Sequence, residues 1–166
     1  LIVLGLLCSF SVSAAPWPAG SPLSEDAYFT QSWGRQMSPA ESEHEASRWI
    51  REAKEAGSRK TAHLMRGLAR YRRSKYRSAA RDLKIAQSGV VNRDLAVFFR
   101  AESLFHLGQY EEAAQLLKRF PSRFPQSVWR FRAQVRHGDC LMFRGAFKAG
   151  IRLLEDVLKT YPDYPH

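Results

Sequence analysis

The sequence predicts an all-α fold, an extended array of antiparallel helical hairpins. Three observations predict it. A pattern of small, aromatic and aliphatic residues occurs three times, and its aromatic positions Tyr76 and Tyr110 lie 34 residues apart. A turn residue separates the two halves of each copy. Before the first copy, Ser38-Pro39-Ala40-Glu41 has the composition of a helix capping box.

Residues 1–14 have the features of a signal-peptide core. Leu1 to Phe10 form an apolar run that is too short to cross a bilayer, and small residues follow it. Val12-Ser13-Ala14 fits the preference of signal peptidase, so cleavage is expected after Ala14. Lipidation of Cys8 is the weaker alternative, because Leu7 before it is not small. We therefore expect an exported, periplasmic protein, and the missing basic start of the signal indicates that the sequence is a fragment.

Residues 15–37 are predicted to be a linker, since Pro, Gly and Ser are frequent there. A capping helix is predicted within residues 38–57, beginning at Pro39 after the N-cap residue Ser38 and running to about Ala56. Gly57 is expected to end it, because glycine accepts the left-handed conformation found at helix C-termini.

About three hairpins are predicted over residues 58–166, and the array is expected to continue beyond this fragment. The repeated positions of the hairpins have physical roles. Small residues in both helices of a hairpin allow close approach, and the aromatic that begins each second helix fills the space beside them. Glycine suits the tight turn, although Ser74 replaces it in the first unit. The third unit follows the second after 37 residues, so a three-residue insertion is expected within Phe120–Pro125. The small residues are Gly67, Ala101 and Gly138 in the first helices and Ala79, Ala113 and Gly150 in the second, the aromatics are Tyr76, Tyr110 and Phe147, and the turn residues are Ser74, Gly108 and Gly145.

This spacing resembles that of the tetratricopeptide repeat family over residues 59–162. The resemblance implies a right-handed array whose first helices line a concave groove, and a function in binding a protein or peptide partner. The family's aromatic at the fourth position of each unit is not kept, since His63, Val97 and Gln134 stand there. A C-terminal domain of the same chain is a second possible occupant of this groove. The alternative is that several groove residues pack against the capping helix or against missing repeats. The expected groove residues are Leu64, Leu68, Tyr71, Phe98, Glu102, Phe105, Val135, Asp139 and Met142.

A looser resemblance covers about residues 92–165. Three segments resemble the periplasmic helical repeats of outer-membrane assembly proteins, and they resemble the N-terminal helical region of soluble lytic murein transglycosylases more. They are Leu95-Ala96-Val97-Phe98-Phe99-Arg100-Ala101-Glu102, Phe124-Pro125-Gln126-Ser127-Val128-Trp129 and Tyr161-Pro162-Asp163-Tyr164-Pro165. This resemblance implies an alternative function, the superhelical arm of a peptidoglycan-cleaving enzyme. Its catalytic Glu would then lie in a separate domain that follows His166.

The charge of the chain is strongly basic, with 26 Lys and Arg against 16 Asp and Glu and a formal net charge of +10. Between Arg59 and Lys84, ten residues are basic and Asp82 is the single acid. Helical spacing predicts one basic patch across the first hairpin, which would meet peptidoglycan or another anionic surface. The alternative is an ordinary solvated face, and nucleic acid is not an expected ligand of an exported protein. The predicted patch comprises Arg66, Arg70, Arg73, Arg77, Arg81 and Lys84.

No residue pattern predicts catalysis. The paired acids Glu111-Glu112 and Glu155-Asp156 are expected on solvated helix faces, and the five His do not cluster at metal-ligand spacing. Cys140 stands in an apolar helical stretch and is expected to be a core residue. We therefore expect no cofactor, no metal, no transmembrane span and no enzyme activity in this chain. The leading hypothesis is a protein-binding scaffold of the bacterial cell envelope, and the alternative is the transglycosylase arm.

Overall fold

The computed structural model describes residues 38–89 and 92–162, so the predicted signal peptide and linker lie outside the described residues. The described part is all-α and consists of successive antiparallel hairpins, which confirms the predicted fold class. Helices adjacent in the array pack on one another, and α5 packs on α7 across a short connecting helix. No described helix is long and apolar enough to cross a lipid bilayer. The helices are α1 Pro39–Glu52, α2 Ala56–Arg72, α3 Tyr76–Ala86, α4 Arg93–His106, α5 Tyr110–Lys118, α6 Phe120–Arg123, α7 Arg130–Phe143 and α8 Phe147–Thr160.

Helix α1 begins where the capping box predicts. The hydroxyl of Ser38 accepts from the backbone N–H of Glu41 at 3.2 Å, and the Glu41 carboxylate accepts from the backbone N–H of Ser38 at 2.7 Å. The predicted end of the helix was wrong, because α1 stops at Glu52 and Gly57 lies in the first turn of α2. A tertiary contact explains the early stop. Ala53 turns into an extended conformation, is buried, and its carbonyl accepts from Arg59 at 3.0 Å.

The small residues of each hairpin are in the places where two helices touch. A Cβ added to Gly67 would lie 2.7 Å from Cγ of Leu83, and one added to Gly138 would lie 2.6 Å from Cγ of Leu154. Ala79, Ala101 and Ala113 are fully buried. At the two glycines no larger side chain fits without displacing Leu83 or Leu154 on the opposite helix, so the predicted close approach is confirmed there.

The three hairpin turns share one backbone geometry. Ser74, Gly108 and Gly145 have φ values of 56°, 73° and 80°, all in the left-handed region. In each turn the residue after this position donates its N–H to a carbonyl five residues earlier, at 2.9 Å in all three cases. Ser74 therefore takes the conformation that glycine takes in the other two units, at the steric cost of its side chain.

The connection between the second and third hairpins has extra length in the segment where the sequence predicts an insertion. The one-turn helix α6 and the following turn occupy residues 120–129. Phe120 and Trp129 from this segment are buried, and the Trp129 ring stacks on Phe98 with centroids 4.9 Å apart. Phe120 and Trp129 thus belong to the core cluster, and the connection packs there against the first helix of the second unit.

Candidate functional site

A buried carboxylate organises the first hairpin. Asp82 on α3 accepts from Arg66 through both carboxylate oxygens, at 2.7 and 3.0 Å, and from Arg70 through Oδ2 at 2.7 Å. His63 Nδ1 lies 2.9 Å from Oδ1 of the same carboxylate. The Asp82 side chain is 4% exposed. A buried carboxylate needs paired charges and hydrogen bonds to offset the loss of water. Two of the predicted patch arginines therefore serve the fold.

Glu43 on α1 ties the capping helix to the first hairpin. Its carboxylate accepts from Arg70 and Lys75, each at 2.9 Å, and also from Arg73. Partial burial by itself would raise the pKa of Glu43, but the hydrogen bonds and charges of Lys75 and Arg70 lower it to about 2. Since Arg70 also binds Asp82, the two acids share one cation.

The predicted basic patch is therefore not one continuous surface. Arg66, Arg70 and Arg73 are neutralised by Asp82 and Glu43, which is a correction of the sequence prediction. Tertiary contact with α1 and α3 supplies these acids, which no local pattern reveals. The remaining three residues, Arg77, Arg81 and Lys84, are exposed on α3 and form no ion pair within the described residues.

Those three cations line a cleft of about 290 Å³, which we call the basic cleft. It lies between α3 on one side and α4 and α5 on the other. Ala80, Leu104 and Leu107 form its apolar part, and Gln109 lines it as well. The far wall carries Arg100 and Glu112, which pair with each other. Arg100 is 9% exposed at its side chain and also donates to Gln87 at 3.2 Å.

The predicted concave groove is largely filled by the protein's own side chains. Leu64, Leu68, Phe98 and Glu102 are buried, so they do not form an open lining, in contrast to the prediction. Leu64, Leu68 and Phe98 belong to the core cluster between the hairpins. Tyr71, Phe105, Val135, Asp139 and Met142 are half-buried.

Arg136 on α7 occupies the space between the second and third units. Its guanidinium donates to both oxygens of Glu102 at 2.6 and 3.0 Å and to Asp139 at 3.0 Å, and it lies 4.3 Å from the centre of the Phe105 ring. Burial by itself would lower the pKa of Arg136, but the bonds to Glu102 and its charge raise it above the usual range. The sequence analysis did not predict this pairing. Glu102 could have indicated it, because an acid in an otherwise apolar stretch of α4 is expected to be buried, and a buried carboxylate requires a cation.

A small cleft of about 160 Å³ remains beside this ion pair, between α4 and α7. Of the predicted groove residues it is lined by Phe98, Glu102, Val135 and Asp139. Phe131, Arg132 and Arg136 complete it. The lining is thus more polar than the apolar and aromatic groove expected from the sequence, and it has room for about one side chain.

The first helices of the second and third units, α4 and α7, each stack a ring on the second helix of the preceding unit. His106 at the end of α4 stacks on Tyr76 at the start of α3, with centroids 4.3 Å apart, and Phe143 at the end of α7 stacks on Tyr110 at the start of α5 at 5.0 Å. His106 and Phe143 are 37 residues apart, as are Tyr110 and Phe147. Phe147, at the matching place in the third unit, has no ring partner among the described residues and is 57% exposed.

Phe147 belongs to an exposed apolar strip that we call the outer face of α8. Phe147, Ile151 and Leu158 are 57%, 48% and 47% exposed, and at about 100° per residue they fall within about 40° around the helix axis. The position that matches Ile151 in the second unit is Ala114, which is 3% exposed because α7 packs on α5. The outer face of α8 therefore corresponds to a surface that is covered in the preceding unit.

Of the paired acids and the cysteine, only Glu112 lines one of these clefts. Glu111, Glu112, Glu155 and Asp156 are exposed, and Glu112 pairs with Arg100 in the basic cleft. Cys140 is fully buried, and burial raises the pKa of its thiol to about 12, so it is protonated at neutral pH. Over residues 38–89 and 92–162, no group of three or more His, Cys, Asp or Glu is placed to hold a metal ion.

Comparison with known proteins identifies a repeat family over part of the chain. Residues 64–128 match a family model described as Tetratricopeptide repeat. These residues span the second half of α2 through the connection after α6, which includes the first two hairpin turns. Neither the curated proteins nor the solved structures contain a match. The match supports the interpretation of this segment as tetratricopeptide-type repeats, which generally mediate protein–protein binding.

Proposed function

We propose that this chain is an exported, non-catalytic interaction scaffold of the bacterial cell envelope that binds an amphipathic helix of a protein partner on the outer face of α8. The tetratricopeptide repeat matched at residues 64–128 supports a protein-binding role. The observation that carries the proposal is the strip of Phe147, Ile151 and Leu158, which no described residue covers, on a helix whose counterparts α3 and α5 are both covered by a following helix. A following helix of the same chain over this strip would contradict the proposal.

The helices that cover α3 and α5 indicate which residue pattern a partner helix would need. The helices that cover α3 and α5 each place a ring at their last turn, His106 over Tyr76 and Phe143 over Tyr110. Phe147 and Ile151 would receive the same kind of helix, with an aromatic over Phe147 and apolar residues one and two turns earlier over Ile151. A helix with this pattern is the occupant to which the proposal commits.

Export and the absence of catalysis are parts of the proposal with separate support. The apolar run of residues 1–10 and Val12-Ser13-Ala14 support export. The protonated, buried thiol of Cys140 and the solvent exposure of Glu111 and Asp156 support a non-catalytic role for the described part. N-terminal sequencing of the mature protein is expected to begin at Ala15, and an uncleaved or cytoplasmic product would contradict export. The alternative of a transglycosylase arm stays a prediction from the sequence, tested by whether a lysozyme-like domain is encoded beyond His166.

The partner site is tested by co-purification of the tagged full-length protein from envelope fractions. Ile151→Glu with Leu158→Glu lowers the net charge by two and places carboxylates in the strip, so we expect at least a tenfold loss of retained partner. Lys148→Gln with Arg152→Gln makes the same change in net charge at two exposed positions of α8 beside the strip, and retention is expected within twofold of wild type. Equal retention in the two variants, with both folded by circular dichroism, would contradict the proposed site.

A further inference from the structure

The basic cleft has no role in the fold that accounts for its exposed cations. Arg77, Arg81 and Lys84 stand at successive turns of α3, are exposed, and have no carboxylate partner within the described residues. Their neighbours Arg66, Arg70 and Arg73 in the same hairpin are all paired with acids. The one acid in the cleft wall, Glu112, is already paired with Arg100. The cleft therefore has a large excess of positive charge that is not internally compensated.

The apolar lining of the cleft favours one class of anionic ligand over others. Leu104 and Leu107 make the side opposite the cations apolar, Ala80 adds to the apolar lining from α3, and the volume is about 290 Å³. A flat membrane surface or a rigid polymer would reach the exposed cations without contacting this apolar lining. A peptide segment with both carboxylates and apolar side chains would satisfy both parts.

The spacing of the cations fits an extended chain. Residues four and three apart on a helix are separated by about 6 Å and 4.5 Å along its axis. Carboxylates at alternate positions of an extended peptide are about 6–7 Å apart, and the residues between them point to the opposite face. Acids facing Arg77, Arg81 and Lys84 would thus place the intervening side chains toward Leu104 and Leu107.

We infer that the basic cleft binds an extended acidic segment of a protein, with Asp or Glu at alternate positions and apolar residues between them. This site lies between α3 and the second hairpin, away from the outer face of α8, so it does not depend on the partner proposed there. Buried Arg100 pairs with Glu112 on the far wall and donates to Gln87 at the end of α3, so the charge of Glu112 is compensated and the exposed cations of α3 are left to make the charged contacts.

The test uses fluorescence anisotropy with the full-length mature protein in 0.15 M salt, at which contacts between exposed charges beyond about 8 Å are screened. Three labelled probes separate charge from the apolar contribution: Glu-Leu-Glu-Leu-Glu, Gln-Leu-Gln-Leu-Gln and Glu-Ser-Glu-Ser-Glu. We expect the first peptide to bind at least tenfold more tightly than either of the others. A fourth arm uses vesicles containing phosphatidylglycerol.

Two variants with the same change in net charge complete the design. Arg77→Gln with Arg81→Gln is expected to weaken binding of the Glu-Leu peptide at least tenfold, whereas Lys148→Gln with Arg152→Gln on α8 should leave it within twofold. Equal weakening by both variants, or equal binding of the Glu-Leu and Glu-Ser peptides, would overturn the inference and indicate general attraction by net charge. Vesicle binding that exceeds peptide binding and depends on Arg77 and Arg81 would overturn it in favour of an anionic surface.

Discussion

The imidazole of His106 stacks on the ring of Tyr76, with centroids 4.3 Å apart and planes inclined by 11°. The pair joins the first unit to the second, and Phe143 on Tyr110 joins the second to the third in the same way. Stacked rings of this kind contribute about 0.5–1.5 kcal/mol beyond the area they bury. Phe147 occupies the same position in the third unit, and its ring is not stacked by any described residue.

The stacking contact predicts an energetic coupling between Tyr110 and Phe143. In a double-mutant cycle with Tyr110→Leu and Phe143→Leu, urea unfolding should give a coupling free energy of about 0.5–1.5 kcal/mol. The control cycle pairs Tyr110→Leu with Phe147→Leu, whose ring has no described partner, and its coupling is expected near zero. Similar coupling in both cycles would show that the stack has no specific energetic role.

The left-handed conformation of Ser74 predicts a stabilising substitution. Its φ of 56° carries a steric cost that glycine avoids. Ser74→Gly removes a steric cost of about 1–2 kcal/mol and adds about 0.4–1 kcal/mol of conformational freedom to the unfolded chain, so the free energy of unfolding should rise by about 0.5–1 kcal/mol. Gly108→Ala, at a φ of 73°, should lower it by about 1 kcal/mol. Both are measured by urea denaturation, and a loss of stability in Ser74→Gly would contradict the assigned turn geometry.

The position of Ser74 also shows which parts of the fold sequence patterns can predict. Small residues at helix contacts and turn residues between helices are local steric requirements, so Gly67, Gly138 and the three turns were predicted correctly. The end of α1 was not, because it depends on the burial of Ala53 and the contact from Arg59 rather than on the nearby Gly57.

Glu43 predicts a loss of stability at acid pH. Its pKa is about 2 in the folded protein and 4.5 as an ordinary glutamate, so the unfolded chain takes up a proton first as the pH falls. The stabilisation is fully present above about pH 4.5 and is lost as the pH falls toward 2. Glu43→Gln should lower the free energy of unfolding by about 1–3 kcal/mol at pH 7 and by much less near pH 2.

The control for this prediction is Glu52→Gln, at an exposed position of the same helix with no ion pair among the described residues. It should leave the free energy of unfolding within about 0.5 kcal/mol of wild type at pH 7. If thermal melts showed the same difference between Glu43→Gln and wild type at pH 2 and at pH 7, the assigned ion pairs would be wrong.

The Glu102–Arg136 pair predicts an asymmetric effect of mutation. Arg136→Leu leaves the buried carboxylate of Glu102 without its cation and should cost about 3–5 kcal/mol. The double variant Arg136→Leu with Glu102→Leu removes both charges and should recover most of that loss. Urea unfolding of the three proteins checks this, and a double variant that is less stable than Arg136→Leu would contradict the account.

The same pair explains why the candidate sites were only partly predictable. The repeat pattern places Glu102 and Arg136 on first helices, but it does not show that Arg136 fills the groove. In the basic patch, the pairing of Arg70 and Arg73 depends on Glu43 from α1. Such ion pairs join residues far apart in the sequence, so a local pattern cannot predict them. The exposure of Arg77 is predictable, because the helical periodicity of α3 alone places it on the polar side of that helix.

The central claim is that the outer face of α8 binds a helix of a protein partner. Site-specific photo-crosslinking in the native cell tests it most directly, with a benzophenone side chain placed at Ile151 or at Arg152 of the full-length protein. We predict one discrete adduct from Ile151 that is lost on adding Leu158→Glu, and none from Arg152. Adducts of equal yield from both positions, or no adduct from Ile151, would contradict the claim.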